Sequence, residues 1–234
     1  SNSFTVSEGL QPQSLRLSFS AVGETLIHHG IYLQAARRAG GEGYDFAYAY
    51  ENLKYFFEPF DVNWINQETL VNNELPADTY PNFSTPGELG QAAYDAGWRV
   101  FSISNNHTYD KLAKGIEATR SFWASMPEDV VVPGLYVDNY DDDEILLQQV
   151  NGITLAYLSY TEHTNGIPPP SGADTHVIYT NERQVLQHQI TRANELAYAV
   201  AACVHWGVET TPSVTQVPSP CPAALPGGGV AVSL

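Results

Sequence analysis

Trp98-Arg-Val-Phe-Ser-Ile-Ser-Asn-Asn-His-Thr-Tyr-Asp110 turns from an apolar run to polar, metal-capable groups within a few residues. Val100, Phe101 and Ile103 predict a short buried strand. It ends in Asn105, Asn106 and His107, and a helix-like segment from Lys111 to Trp123 follows. Open α/β sheets gather their ligands at the C-terminal ends of buried strands, where these three side chains fall. Asn also tolerates unusual backbone angles, so Asn105 and Asn106 equally suit a strand-to-helix turn with no chemistry. The flanking segments weigh one reading against the other.

Upstream, Thr85 is placed to cap a helix with Pro86 at its first position and Glu88 at its third. That helix runs through Leu89, Ala92 and Ala93 to Gly97, a residue suited to a helix C-terminus. Before it, residues 72–87 contain Pro76, Pro81 and Pro86 and predict a surface loop. Asp61 to Glu68 is a strand candidate, and Asn66 and Glu68, two apart, share one face of extended chain. Leu15 to Gly23 alternates apolar and polar residues as a half-buried strand does, and runs directly into Glu24. Ile31 to Arg38 and the stretch from Tyr44 to near Pro59 read as helical. His28 and His29 are adjacent, so at most one of them faces a given site.

Downstream, Val130-Val-Val132 predicts a short strand. Asp138 to Glu144 holds five carboxylates, without the glycine spacing of a calcium loop, and reads as a solvated turn. Ile145 to Leu158 reads as a hairpin turning at Asn151-Gly152. Ser159 to Gly166 and Ile167-Pro-Pro-Pro170 predict a rigid surface excursion. A helix capped by Asn181 extends to Tyr198, and Ala199 to Val204 is a buried strand that ends in His205-Trp-Gly-Val-Glu209. Val217 to Leu234 has four prolines, three consecutive glycines and no charge, and is expected to be irregular.

The chain of 234 residues is long enough for one domain with a substantial core, and 43% hydrophobic with 12% aromatic residues indicates a globular fold. Its 26 acidic and 10 basic residues give a net charge of −16, which disfavours nucleic acid. An anionic polymer would need local positive charge, from a metal or a few arginines, to be held. No apolar run reaches the ~20 residues that span a bilayer. Residues 1–14 form a polar lead that resembles either an artificially trimmed start or the mature end of an exported protein. Cys203 and Cys221 make neither a disulfide framework nor a CxxC site, and Cys203 reads as a small core residue.

At predicted strand ends the sequence thus collects Glu24, Asn66 with Glu68, Asn105-Asn106-His107, and His205 with Glu209. Carboxylate, amide oxygen and imidazole in that mixture suit a hard or borderline divalent metal such as Mn, Fe or Zn. A metal there would polarise an ester oxygen or activate water, while a second imidazole shuttles a proton.

In segment order the sequence resembles the bacterial CapA-type capsule-synthesis proteins, associated with poly-γ-glutamate synthesis and related to calcineurin-like metallophosphoesterases. The matching pieces are Gly23-Glu24, Asn66-Gln-Glu68, Phe83-Ser-Thr-Pro-Gly-Glu-Leu89, Asn105-Asn-His107, Asn151-Gly-Ile, Ser159-Tyr-Thr, Thr164-Asn-Gly-Ile-Pro168 and His205-Trp-Gly-Val-Glu209. The resemblance spans roughly residues 15 to 216. It implies an α/β fold, a four-layer α/β/β/α sandwich of the metallophosphoesterase type, incomplete at the C-terminus. It also divides the chain into a lead (1–14), a CapA-like domain (15–216) and a tail (217–234).

Carried over residue by residue, the resemblance makes Glu24, Glu68, Asn106 and His205 metal ligands and His107 the catalytic proton donor. Asn66, Asn105 and Glu209 are the expected substrate contacts. Two departures stand out. Glu24 replaces an aspartate and reaches one methylene further. The family's late Gly-His-His-Pro-His segment is absent, and the prolines after Gln216 forbid the helix that should precede it. We expect truncation or a shifted frame near Gln216, leaving a sheet edge and apolar surface exposed. The implied function is hydrolase-like work on a phosphoester or anionic polymer in capsule synthesis, at the cell surface beside a membrane synthase complex. The alternative is a non-catalytic surface module that guides the polymer or docks to its synthase.

Overall fold

The computed structural model describes residues 15–137 and 145–207, and the backbone of 230–233. In chain order, β1 (Phe19–Val22) precedes three helices, α1 (His29–Arg38), α2 (Ala47–Tyr50) and α3 (Lys54–Phe57), and then β2 (Val62–Asn66). Short strands β3 (Val71–Asn72) and β4 (Thr85–Pro86) lead into α4 (Gly87–Asp95), β5 (Val100–Ser102) and α5 (Leu112–Ala124). The second half runs β6 (Tyr136–Val137), β7 (Leu146–Val150), β8 (Ile153–Thr161), β9 (Thr175–His176), α6 (Arg183–Leu196), β10 (Ala199–His205) and β11 (Val230–Ser233).

The architecture is mixed α/β. One sheet has the order β1-β2-β5, all parallel. The other has the order β11-β10-β8-β7, parallel except for the β7–β8 hairpin. Alternation along each strand sorts its side chains into two sets. Val62, Trp64 and Val100 of the first sheet share an apolar cluster with Leu155, Tyr157, Ala201 and Cys203 of the second. Ile65 and Phe101 point the other way and pack with Tyr32, Leu89, Ala93, Phe122 and Trp123 from the helices. Ala156, Leu158, Tyr160 and Val200 likewise pack with Ala193 and its α6 neighbours Leu186 and Ile190. At about 25 cal/mol per Å² of apolar surface removed from water, these three clusters supply the main folding drive.

Local expectations are met where short-range chemistry decides. Asn151 (φ 51) and Gly152 (φ 79) both take the left-handed region that a type I′ hairpin turn requires. Gly97 (φ 115) follows Ala96, the C-cap of α4, and ends the helix. Cys203 is a core residue, 2% exposed, and burial pushes its thiol up to about 11.

Other expectations need correction. Residues 72–87 are not simply a surface loop, since β3 pairs with β4 and Phe83, Ser84 and Thr85 are buried. Thr85 does not cap α4. Its hydroxyl lies 2.6 Å from that of Thr69, its N–H donates to the Leu70 carbonyl, and the helix begins at Gly87. The 44–59 segment is two short helices rather than one, and neither has a side-chain cap. Val131 makes only an isolated bridge to Val100. Helix α6 starts after Glu182, whose carboxylate accepts the Tyr179 N–H, and not at an Asn181 cap.

Within the tail expected to be irregular, Val230–Ser233 forms β11, parallel to β10. β10 is therefore paired on both sides, by β8 and by β11. The acidic run 138–144 and Glu209 lie outside the described residues.

Candidate metal centre

Parallel pairing brings the C-terminal ends of β1, β2 and β5 side by side. The Thr25 N–H donates to the Asn66 carbonyl at 2.9 Å and ties the chain beyond β1 to the end of β2. Glu24 and Glu68 leave the sheet there. In the other sheet His205 ends β10 in register with Thr161 of β8. Ligand atoms of Glu24, Glu68 and His205 all lie within 4.8 Å of one another. Among the described His, Cys, Asp and Glu side chains, this is the group that could hold a metal ion, and neither His28 nor His29 belongs to it. Glu24 Oε2 is 3.8 Å from His205 Nδ1, so the longer side chain at position 24 does reach the cluster.

The chain beyond β5 forms the wall beside this group. Asn105 is fully buried, and its bonds are structural. Its N–H donates to Thr108 Oγ1 at 2.8 Å and its Nδ2 to the Gln67 carbonyl at 2.9 Å. Thr108 Oγ1 in turn donates to the Ile103 carbonyl at 2.8 Å. These bonds lock the turn that carries the next two residues. Asn106 Nδ2 donates to Asn165 Oδ1 at 3.3 Å, while Asn106 Oδ1 is buried with no hydrogen-bond partner among the described residues. A buried amide oxygen left so is costly unless something accepts its lone pairs.

His107 is oriented from two sides. Its Nδ1 lies 2.7 Å from Asp110 Oδ2, which also accepts the Phe83 N–H at 2.7 Å. The Phe83 ring stands edge-on, with its centroid 4.7 Å from that of the imidazole. With Nδ1 donating to Asp110, Nε2 is the nitrogen left for proton exchange, and it sits 3.9 Å from Glu68 Oε1.

The site residues named from the sequence therefore divide. Glu24, Glu68 and His205 converge, and His107 adjoins them through Glu68. Asn106 stands next to His107 in the chain and offers a bare amide oxygen. Asn66 and Asn105 are both sealed from solvent. Asn66 Oδ1 accepts from Ser102 Oγ at 3.1 Å across the β2–β5 pair. Neither can meet a substrate without movement. Three contributors stand in the quoted stretches but gain no site role from the sequence: Asp110, Phe83 and Asn165. The first had a readable signal, since His107-x-x-Asp110 is the spacing of one helical turn.

Two carboxylates, an imidazole and an amide oxygen are the donor chemistry of a hard or borderline divalent ion, so the residues fit such a group. Among the described residues no helix is long and apolar enough to cross a membrane.

The family model described as "Bacterial capsule synthesis protein PGA_cap" matches residues 18–219. The PGA biosynthesis protein CapA of Bacillus subtilis (strain 168) is 26% identical over 196 residues, covering 82% of this chain and 50% of that protein. The capsule biosynthesis protein CapA of Bacillus anthracis is 30% identical over 158 residues, covering 65% of this chain and 36% of that protein. The chain thus spans half or less of the length of these relatives. Of solved structures, the Haemophilus influenzae NAD nucleotidase (NadN) aligns with a TM-score of 0.42 and 11% identity, over 70% of this chain and 32% of that one.

Proposed function

The chain belongs to the bacterial capsule synthesis protein family, and from that membership we propose that it serves capsule or poly-γ-glutamate biosynthesis through a hydrolase-like divalent-metal site. The observation that carries the reading is the convergence of Glu24, Glu68 and His205 within 4.8 Å. The ion is Mn, Fe or Zn, held by those three with Asn106. When bound, such an ion polarises an ester oxygen or activates water. His107, its Nδ1 held by Asp110, exchanges a proton with a reacting oxygen through Nε2. The substrate class is a phosphoester or an anionic polymer, met at the cell surface beside a membrane synthase.

Asn66 and Asn105 support the strand ends rather than touch that substrate, because both are enclosed. We read the architecture as a four-layer α/β/β/α sandwich of the metallophosphoesterase type. Its support is the apolar cluster shared by the two sheets, with helix-facing clusters on their other sides.

Calorimetry of the chain with Mn²⁺ tests the site, alongside Glu68→Gln and His205→Ala. Binding by the wild type that both variants lose supports the reading, and no binding overturns it. Turnover of bis(p-nitrophenyl) phosphate with Mn²⁺ then tests hydrolysis. A chain that binds the ion but never turns over is the non-catalytic surface module instead.

A further inference from the structure

Thr164, Asn165, Gly166 and Ile167 form a tight turn beyond β8, with the Ile167 N–H donating to the Thr164 carbonyl at 2.9 Å. Asn165 (φ 51) and Gly166 (φ 75) occupy its two central positions, both left-handed. The turn is anchored from below. Buried Thr164 Oγ1 donates to the Ile167 carbonyl at 2.7 Å and lies 2.9 Å from the Tyr179 hydroxyl. Its stem is fixed to the other metal-site strand, because the Glu162 N–H donates to the His205 carbonyl at 2.9 Å.

Turn geometry alone accounts for a residue that tolerates positive φ at position 165, and glycine would serve as well. It does not account for the carboxamide. That group reaches out of the turn to the wall opposite, where Asn165 Oδ1 accepts from Asn106 Nδ2 at 3.3 Å. Asn165 Nδ2 is also 3.4 Å from His107 Nδ1. His107 Nδ1 is already committed to Asp110 at 2.7 Å, so this second approach does not hold the ring. The bond to Asn106 is the informative one. An Asn side chain has two nearly isosteric ends, and the end of Asn165 that faces Asn106 is its accepting oxygen, which takes the Nδ2 end. With Nδ2 drawn to Asn165, Asn106 Oδ1 is turned away from that bond and is left unpartnered and buried among the described residues.

We propose that Asn165 is a positioning residue that fixes the amide orientation of Asn106, so that Oδ1 and not Nδ2 is presented to a divalent metal ion. The inference rests on the metal-site reading above and adds a residue to it. It also couples the ends of the two sheets, since the turn bearing Asn165 is stitched to His205 while Asn106 follows β5. Outer partners of metal ligands typically carry tenfold or more of the affinity.

The test uses Mn²⁺ alone as the probe, with calorimetry on the full chain. Asn165→Gly keeps the left-handed turn and removes the carboxamide, and circular dichroism checks that its fold is intact. It should bind Mn²⁺ about tenfold more weakly than wild type. Asn165→Asp keeps the acceptor and should restore wild-type binding or exceed it. A glycine variant that binds as wild type does overturns the proposal while leaving the metal site standing.

A second readout needs no metal. Side-chain amide exchange at Asn106, followed by NMR, should be slowed in wild type and Asn165→Asp and fast in Asn165→Gly. Equal exchange in all three overturns the proposal even if the wild type binds no Mn²⁺, an outcome that would separately overturn the metal reading.

Discussion

Asp110 Oδ2 stands 2.7 Å from His107 Nδ1 and 2.7 Å from the Phe83 N–H, so one carboxylate oxygen orients the imidazole and pins the segment packed against it. Asp110→Ala removes both bonds and leaves a buried backbone donor unpaired. The expected cost is about 1–3 kcal/mol in urea unfolding. Phosphodiester turnover, if measured with Mn²⁺, should fall about a hundredfold because His107 loses its orientation. An Asp110→Ala protein with wild-type stability would show that Phe83 finds another acceptor.

Trp64 is 1% exposed in the layer between the sheets, edge-on to Tyr157 with ring centroids 5.3 Å apart. Trp64→Ala should destabilise the chain by about 3–5 kcal/mol, read from the denaturant midpoint at constant slope. A loss below about 1 kcal/mol would mean that the two sheets do not depend on each other for burial.

Gly134 backs onto the strand end that carries the site. A Cβ there would lie 2.5 Å from the Ser104 nitrogen and 3.0 Å from the Ile103 carbonyl carbon, on a residue whose φ is +134°. Gly134→Ala must push the backbone just ahead of Asn105-Asn106-His107. We expect about 1–3 kcal/mol of lost stability together with weaker Mn²⁺ binding. Unchanged binding in a destabilised variant would show that the turn absorbs the shift.

Three aspartates titrate low. The Ser18 N–H and hydroxyl and Asn151 hold Asp61 below the usual carboxylate range. Lys111 does the same for Asp78, and Arg120 for Asp174. A carboxylate lowered in the folded state adds stability that is present above the unfolded value of about 3.9 and is lost as pH falls through the folded one. The melting temperature should therefore decline as pH drops below about 4, and Asp61→Asn should flatten part of that decline. All three groups are exposed, so the effect is modest and shrinks with added salt. A melting temperature that does not change as pH falls from about 4 through the lowered values would refute the assignment.

The parts of this molecule readable from sequence are those fixed by near neighbours along the chain. Glu24, Glu68, His107 and His205 could each be found because a strand-like apolar run stops shortly before them. Asn151-Gly152 announced its turn for the same reason. Asp110 was in plain view but its contact requires the chain after Asn105 to turn back on itself, which alternation does not encode. Phe83 and Thr85 lie among prolines that signal loop, and only long-range partners, His107 for one and Thr69 and Leu70 for the other, bury them. Val230–Ser233 is too short and too remote from β10 for any local pattern to reveal its pairing.

Glu24 and Glu68 hang from one sheet and His205 from the other, so the gap between these ligand atoms is set by the thickness of the apolar layer around Trp64 and Tyr157. That layer works as a caliper whose jaws are the two strand ends. A side chain trimmed or enlarged there, far from any donor atom, resets the opening and with it the ionic radius that fits. If the core sets that gap, selection among divalent ions is a property of the hydrophobic core, and competition between Mn²⁺ and Zn²⁺ in Trp64→Phe and wild type would read it directly.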